Sequence, residues 1–465
     1  MRVRRGARTH ARTGGAPAVL LLAVLLLLSA CGGGTGRGGA GGSTAGTSSP
    51  GATAPADPAG GTFIPPTRFG KPGVRLPAAV GTARAAGPTG AATDHSGTAG
   101  PLPIALHGSD AYIAGPAGMQ VVDTRTGKVT ATIRPQGPAP GDAAGTGPVS
   151  APLVTAVGGS TLSLALVPFL VTSAAQGSTP AGTAVELAAV DTSTQQAVWT
   201  ALIGGLPAWA SDGSTTDLSA SVVGVQGDVA VVRVSGAGVL GAAVGVDLMK
   251  HQAIWHQDGF TAEAVSGEAV VGRINKNSSK PAGTSDTESS IAALATTDGQ
   301  QLWKELDADT VSVTPAAPGK VVVTGTDHTD AAAFSYLVDT TDGKKTALPT
   351  VGATLDSCSY DHVSALVCTG HDASGTHLLG LDAADGTRLW QLPDPAAPGR
   401  AAPAVTAVWH GAVYGTAAEG PVVLDARTGA VRAAAPGLAP TLLDGDVGLS
   451  APATGDPVTA YPALG

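Results

Sequence analysis

The chain has 465 residues, and Gly (66) with Pro (34) makes up about a fifth of it, well above their usual share. Charged residues are 13% against 43% hydrophobic, which excludes the apolar-poor, charge-rich make-up of a generally disordered chain. The formal charge of −9 hides an asymmetry: residues 1–30 hold five Arg and no acid, leaving 21 basic against 35 acidic residues beyond them. A surface of that sign repels phosphate backbones, so no nucleic-acid partner is expected.

At the N-terminus Arg2, Arg4, Arg5, Arg8 and Arg12 precede an apolar run from Ala18 to Leu28, which ends in Leu28-Ser29-Ala30-Cys31. The run is too short to span a bilayer as a stable helix and has the length of a signal-peptide core. Its ending resembles the lipobox of bacterial lipoproteins. That resemblance implies cleavage after Ala30, diacylglycerol and palmitate on Cys31, and anchoring at the outer face of the cell membrane. Residues 1–30 are therefore expected to be a lipoprotein signal peptide. Residues 31–61 are Gly, Ser, Thr, Ala and Pro with almost nothing to bury, which predicts a flexible tether. Its r.m.s. reach is about 30 Å. The Ala/Gly/Pro/Arg bias points to a GC-rich, actinobacterial origin.

Residues 62–465 are read as one domain with internal repeats. An apolar stretch leads to Asp, then Gly four residues on, then Trp at the eighth position. The copies with Trp are Asp191 to Trp199, Asp247 to Trp255, Ala295 through Gly299 to Trp303, and Asp382 through Gly386 to Trp390. Weaker copies start at Asp123 (Gly127), Asp339 (Gly343) and Asp425 (Gly429), with Ala in place of Trp. Each apolar stretch predicts a buried strand, Asp accepts amides of the following turn, and Gly supplies its positive φ. Two further strand candidates precede each copy, as in Ala404–Trp409 and Ala412–Thr416. Four antiparallel strands per repeat predict an all-β fold, a β-propeller.

The Asp-x-x-[Thr/Asp]-Gly-x-x-x-Trp unit resembles the PQQ-like repeat of quinoprotein-type propellers, over roughly residues 100–435. The resemblance implies that Trp packs between neighbouring blades while Asp and Gly shape the turn. After the seventh copy, Pro440–Leu443, Val447–Ser450 and Pro457–Tyr461 predict three strands of an eighth blade. Thr62–Val80, with Phe63, Phe69, Val74 and Leu76, is the expected donor of the fourth. Eight blades closed by both termini leave no exposed sheet edge; seven blades are the alternative.

Strand order puts the A–B and C–D turns on one face and the B–C and D–A connections on the other. The long insertions Pro135–Ala151, Thr172–Thr183, Gly204–Leu218 and Asn275–Ser290 all belong to the second face, where recognition is expected. Cys358 and Cys368 are the cysteines left after Cys31, and an exported domain favours a disulfide between them over free thiols. A turn at Asp361-His362 would leave them out of direct opposition. His328 with Asp327 and Asp330, and His371 and His377 with Asp372, fall in predicted B–C loops of successive blades. They read as solvated turns and not as a metal site. Glu263, Glu268 and Asp258 receive no role, and inner-strand segments such as Ala404–Val408 are small and apolar.

The expected function is that of a membrane-tethered, extracytoplasmic, monomeric propeller that binds protein, peptide or envelope glycan without catalysis. No cofactor is expected on that reading. The alternative implied by the resemblance is a dehydrogenase carrying the quinone PQQ with calcium, although no Cys-Cys pair is present and no Asp base can be assigned.

Overall fold

The computed structural model describes residues 63–77, 102–115, 117–139, 149–158, 162–175, 181–211, 218–236, 241–275, 289–327, 332–350, 355–396, 399–450 and 457–464, all within the unit Pro50–Gly465. The expected leader (1–30) and tether (31–61), with Cys31, lie outside the described residues. So do His328 and Asp330 and the centres of the four long insertions.

The fold is an eight-bladed β-propeller of four-stranded antiparallel sheets. Within each blade the strands are named A to D, and blades 1 to 7 take their strands from residues 104–133, 153–203, 219–258, 260–308, 308–347, 355–392 and 404–433. The A strands of consecutive blades lie side by side from blade 1 to blade 8, so they form the inner ring. Blade 8 consists of Leu442–Leu443, Val447–Ser450, Thr459–Pro462 and, from the other end of the chain, Val74–Arg75. Val74 pairs with Ala460 and Arg75 with Thr459, and an isolated bridge joins Phe69 to Ala463. Tyr414 of blade 7 donates its hydroxyl to the Pro66 carbonyl at 2.9 Å, fixing the incoming segment.

Both faces of each sheet are covered by a neighbour, so the middle strands are apolar on both sides and each side serves a different interface. In blade 2, Ala165, Val167 and Phe169 pack toward blade 1, while Leu164, Leu166, Val185 and Leu187 pack toward blade 3. Eight such apolar clusters form among the described residues, one between each pair of neighbours. The cluster joining Ile104, Ile113 and Val122 of blade 1 to Val447 and Leu449 of blade 8 completes the circle.

Blades 4 and 5 share one continuous strand, Gln301–Pro315. Its first half is strand D of blade 4 and its second half strand A of blade 5. Gly is absent from that stretch and Pro occurs only at its end, so the strand continues through its register shifts without a chain-breaking residue.

Cys358 and Cys368 form a disulfide and stand directly opposite one another in blade 6, against the offset that a turn at Asp361-His362 would impose. The connection is longer. The Asp361 Oδ1 accepts the amides of Val363, Ser364 and Ala365 at 2.7–2.9 Å, and Tyr360 pairs with Leu366. His371 and His377 also differ from expectation: both lie in strands, Ala365–Asp372 and Gly375–Asp382, and not in a loop.

Candidate functional site

The face carrying the C–D turns is built by the repeat. Asp123 Oδ1 accepts the amides of Arg125 and Thr126 at 2.8 and 2.9 Å, and Asp425 Oδ1 does the same for Arg427 and Thr428. Asp191, Asp247, Asp339 and Asp382 each accept the amide two residues on. Gly127, Gly299, Gly343, Gly386 and Gly429 have φ between 66° and 76°.

Each of three Trp side chains is gripped by the turn of the next blade. The Nε1 of Trp255, Trp303 and Trp390 donates at 2.8 Å to the carbonyls of Thr296, Thr340 and Ala426. A Cβ on Gly299 would stand 2.9 Å from the Trp255 ring, and one on Gly429 2.8 Å from Trp390. Trp199 meets His251 at the glycine position of the following turn, with ring centroids 4.6 Å apart. The C–D turns of this face are interlocks in which each repeat carboxylate caps its own turn and three Trp indoles are bound by the next blade.

The opposite end of the inner strands is different. In blades 3 to 7 the A–B ladder shifts register by one residue, which leaves Val223, Glu263, Asp309, Asp356 and Thr406 as bulge residues. The A–B ladders of blades 1, 2 and 8 show no shift among the described residues. A bulge bends the strand and re-aims the extra side chain. The bulges of blades 4 and 6 hold acids, Glu263 and Asp356.

On strand B the residue after the partner of the pre-bulge position is also polar: Arg233 in blade 3, Arg273 in blade 4 and His371 in blade 6. Glu263 accepts from both arginines. Arg233 Nη1 reaches Oε2 at 2.9 Å, and Arg273 Nε and Nη2 reach Oε1 at 3.1 and 2.7 Å. Arg233 further donates to Ser221 Oγ at 3.1 Å and the Ala262 carbonyl at 3.3 Å. Side-chain exposure is 17%, 7% and 12% for Arg233, Glu263 and Arg273. Burial lowers the Arg233 pKa, opposed by the Glu263 charge.

In blade 6 Asp356 pairs with His371 Nδ1, both half-exposed. The inner strand is thus mostly small and apolar in blade 7, while those of blades 4 and 6 carry Glu263 and Asp356, which meet cationic groups of the second strands of blades 3, 4 and 6. Glu263, given no role by sequence, is the centre of that charge. A visible signal was the single cation closing the apolar runs Val229–Ser235 and Ala269–Asn275.

Asp372, Ser374 and His377 touch one another, but as a turn. Asp372 Oδ2 and Ser374 Oγ share the same His377 nitrogen, at 2.8 and 3.2 Å, so the ring cannot relay a proton between them. Hydrogen bonds from Ser374 and His377 hold the Asp372 carboxyl down at about 2. No group of three His, Cys, Asp or Glu residues is placed to hold a metal ion among the described residues. Calcium beside a quinone needs free carboxylates, and both Glu263 oxygens are already taken by guanidinium groups. Glu263 is therefore not free to hold that ion.

The PQQ_2 family model, described as outer membrane protein assembly factor BamB, matches residues 287–444. Those residues resemble PQQ_2 repeats. No curated protein matches the chain. Among solved structures, a Kuenenia stuttgartiensis hydrazine synthase chain is 12% identical, with 68% of this chain and 92% of that one covered and a TM-score of 0.36. The Dos1 propeller is 11% identical, covers 76% and 89%, and has a TM-score of 0.43. The Pyrococcus horikoshii acylaminoacyl peptidase is 14% identical over 60% of this chain and 42% of its own, with a TM-score of 0.35. The activities in those names belong to those proteins.

Proposed function

We propose that this protein is a lipoprotein, tethered through Cys31 to the outer face of the cell membrane, whose propeller binds a protein, peptide or envelope ligand on its long-loop face without catalysing a reaction. The observation that carries the reading is where the chain joins the ring. Phe63, the first described residue, packs edge-on against Trp409 with centroids 5.0 Å apart and lies 4.9 Å from the His410 ring. Trp409 and His410 stand at the A–B turn of blade 7. The described chain therefore enters the ring on the face opposite the long loops and the charged rim, an arrangement that supports keeping them clear for a partner. A ring with eight packed interfaces holds such a surface rigid, and rigidity reduces the entropic cost of recognition.

The test expresses the full chain and its Cys31→Ser variant in a GC-rich Gram-positive host. Lipidation predicts a diacylglyceryl mass on a mature chain starting at Cys31, membrane-pelleting wild type and released variant. Photo-crosslinkers at loop-face positions such as Ser173 should then capture envelope material, while crosslinkers on the C–D turns should not. A soluble, unlipidated wild type removes the anchor, and equal capture from both faces removes the binding surface.

A further inference from the structure

The Arg233–Glu263–Arg273 cluster holds two guanidinium charges against one carboxylate. All three side chains are more than four-fifths shielded from solvent. Among the described side chains this leaves a surplus of one positive charge, a local departure in a protein whose formal charge is −9. Shielding a charge without a partner is costly. Blade 6 provides the contrast at the equivalent position: one acid, Asp356, faces one imidazole, His371, with no surplus cation.

Both guanidinium planes are also fixed in advance. Arg233 is held through Nε and Nη1 by Ser221, Ala262 and Glu263, and Arg273 through Nε and Nη2 by Glu263. The donors left over, Arg233 Nη2 and Arg273 Nη1, have no hydrogen-bond partner among the described residues. A guanidinium carries donors only, so what can occupy them is an acceptor, and the surplus charge makes a negatively charged acceptor the best match. Both arginines lie two residues from the end of a strand B that leads to the long-loop face.

We infer that Arg233 and Arg273 form a receiving site for one oxyanion, a carboxylate or phosphate group carried by the ligand of the long-loop face, with Glu263 as the residue that orients both guanidinium groups. The inference deepens the binding-module reading and rests on it for the face concerned. The anion would neutralise the surplus without disturbing the Glu263 contacts, and the fixed forks would favour planar or tetrahedral oxyanions over chloride.

The experiment uses the full chain and two probes, inorganic phosphate and acetate, titrated by calorimetry and thermal shift at an ionic strength held constant with chloride. Wild type should show saturable binding and stabilisation by at least one probe beyond chloride. A response to phosphate alone assigns a phosphate site, and a response to acetate assigns carboxylate recognition as well. Arg273→Gln, which leaves the neutral Arg233–Glu263 pair, should weaken binding at least tenfold. Arg273→Lys keeps the charge without the fork and should fall between. Asp356→Asn, at the equivalent bulge of blade 6, should bind as wild type does and controls for general effects on the rim. Wild type that responds only as it does to chloride, or variants that all bind alike, would overturn the site. Continued crosslinking at the loop face in that case would leave the binding module standing, so the two failures are distinguishable.

Discussion

The turn face and the rim of the same ring are made in opposite ways. On the turn face one solution recurs: a turn capped by an Asp side chain with a residue of positive φ, locked in blades 3, 4, 5 and 7 by a Trp from the preceding blade. On the rim no two blades carry the same residues. Blades 1, 2 and 8 run straight, while blades 3 to 7 bulge, and the bulge residues change from Val223 to Glu263, Asp309, Asp356 and Thr406. Repetition here reports packing, which every blade needs equally. Variation on an otherwise repeated frame marks what is particular to a single blade.

The sharpest way to break this comparison is to remove an interlock. Trp255 is 7% exposed, donates to the Thr296 carbonyl and packs under Gly299. Trp255→Ala empties an aromatic volume between blades 3 and 4 and orphans that carbonyl. We expect a loss of about 3–5 kcal/mol in urea unfolding. A loss below about 1 kcal/mol would mean that the turn face does not hold the ring together.

The interlocks were legible in sequence because they are local: Asp, turn and Gly lie within five residues, and the period repeats them. The eighth blade was legible because three C-terminal strands lacked a fourth and an apolar segment near the N-terminus could supply it. The rim was legible only in part: Arg233 and Arg273 stand out as single cations in apolar strands, but the acid they meet does not. Glu263 meets Arg233 of the preceding blade only because the ladder slips between Ala262 and Ala264, and slips of this kind leave no residue signature. The Cys358–Cys368 register was misjudged for a related reason. The carboxylate of Asp361 caps three amides and widens a connection that otherwise reads as a two-residue turn.

A second prediction tests whether every carboxylate on the turn face is as well accommodated as those of the repeat. Asp444, in the A–B turn of blade 8, accepts the Asp446 and Val447 amides with Oδ1. Its Oδ2 is buried without a well-aligned hydrogen bond among the described residues, although the Gly108 amide lies close enough to favour the charged form. Burial pushes the Asp444 carboxyl up to about 6, outweighing the amides that favour its charged form. A carboxyl whose pKa is higher folded than unfolded binds more protons in the folded state. Its contribution therefore falls as pH rises from about 4 to 6, and the ionised group costs stability above that window. Asp444→Asn should gain roughly 1–3 kcal/mol at pH 7.5 and close to nothing at pH 4, read from urea unfolding at both values. An equal effect at the two pH values would show that Asp444 titrates as an ordinary surface acid.

The smallest expected effect separates the two faces most directly. Replacing the whole rim cluster, Arg233→Met with Glu263→Leu and Arg273→Met, removes three charges and the hydrogen bonds among them. If the cluster existed to hold blades 3 and 4 together, its loss should resemble that of Trp255. Desolvating three ionised groups costs about as much as their attraction returns, however, and apolar side chains of similar volume can fill the same space. The triple variant should therefore unfold within about 1 kcal/mol of wild type, or later than it, while losing the response to phosphate and acetate. Glu263→Leu alone should fare far worse, because it leaves two cations facing each other without a counter-charge. A stable ring with a silent rim would place the cluster with recognition, whereas a triple variant as unstable as Trp255→Ala would return it to the scaffold.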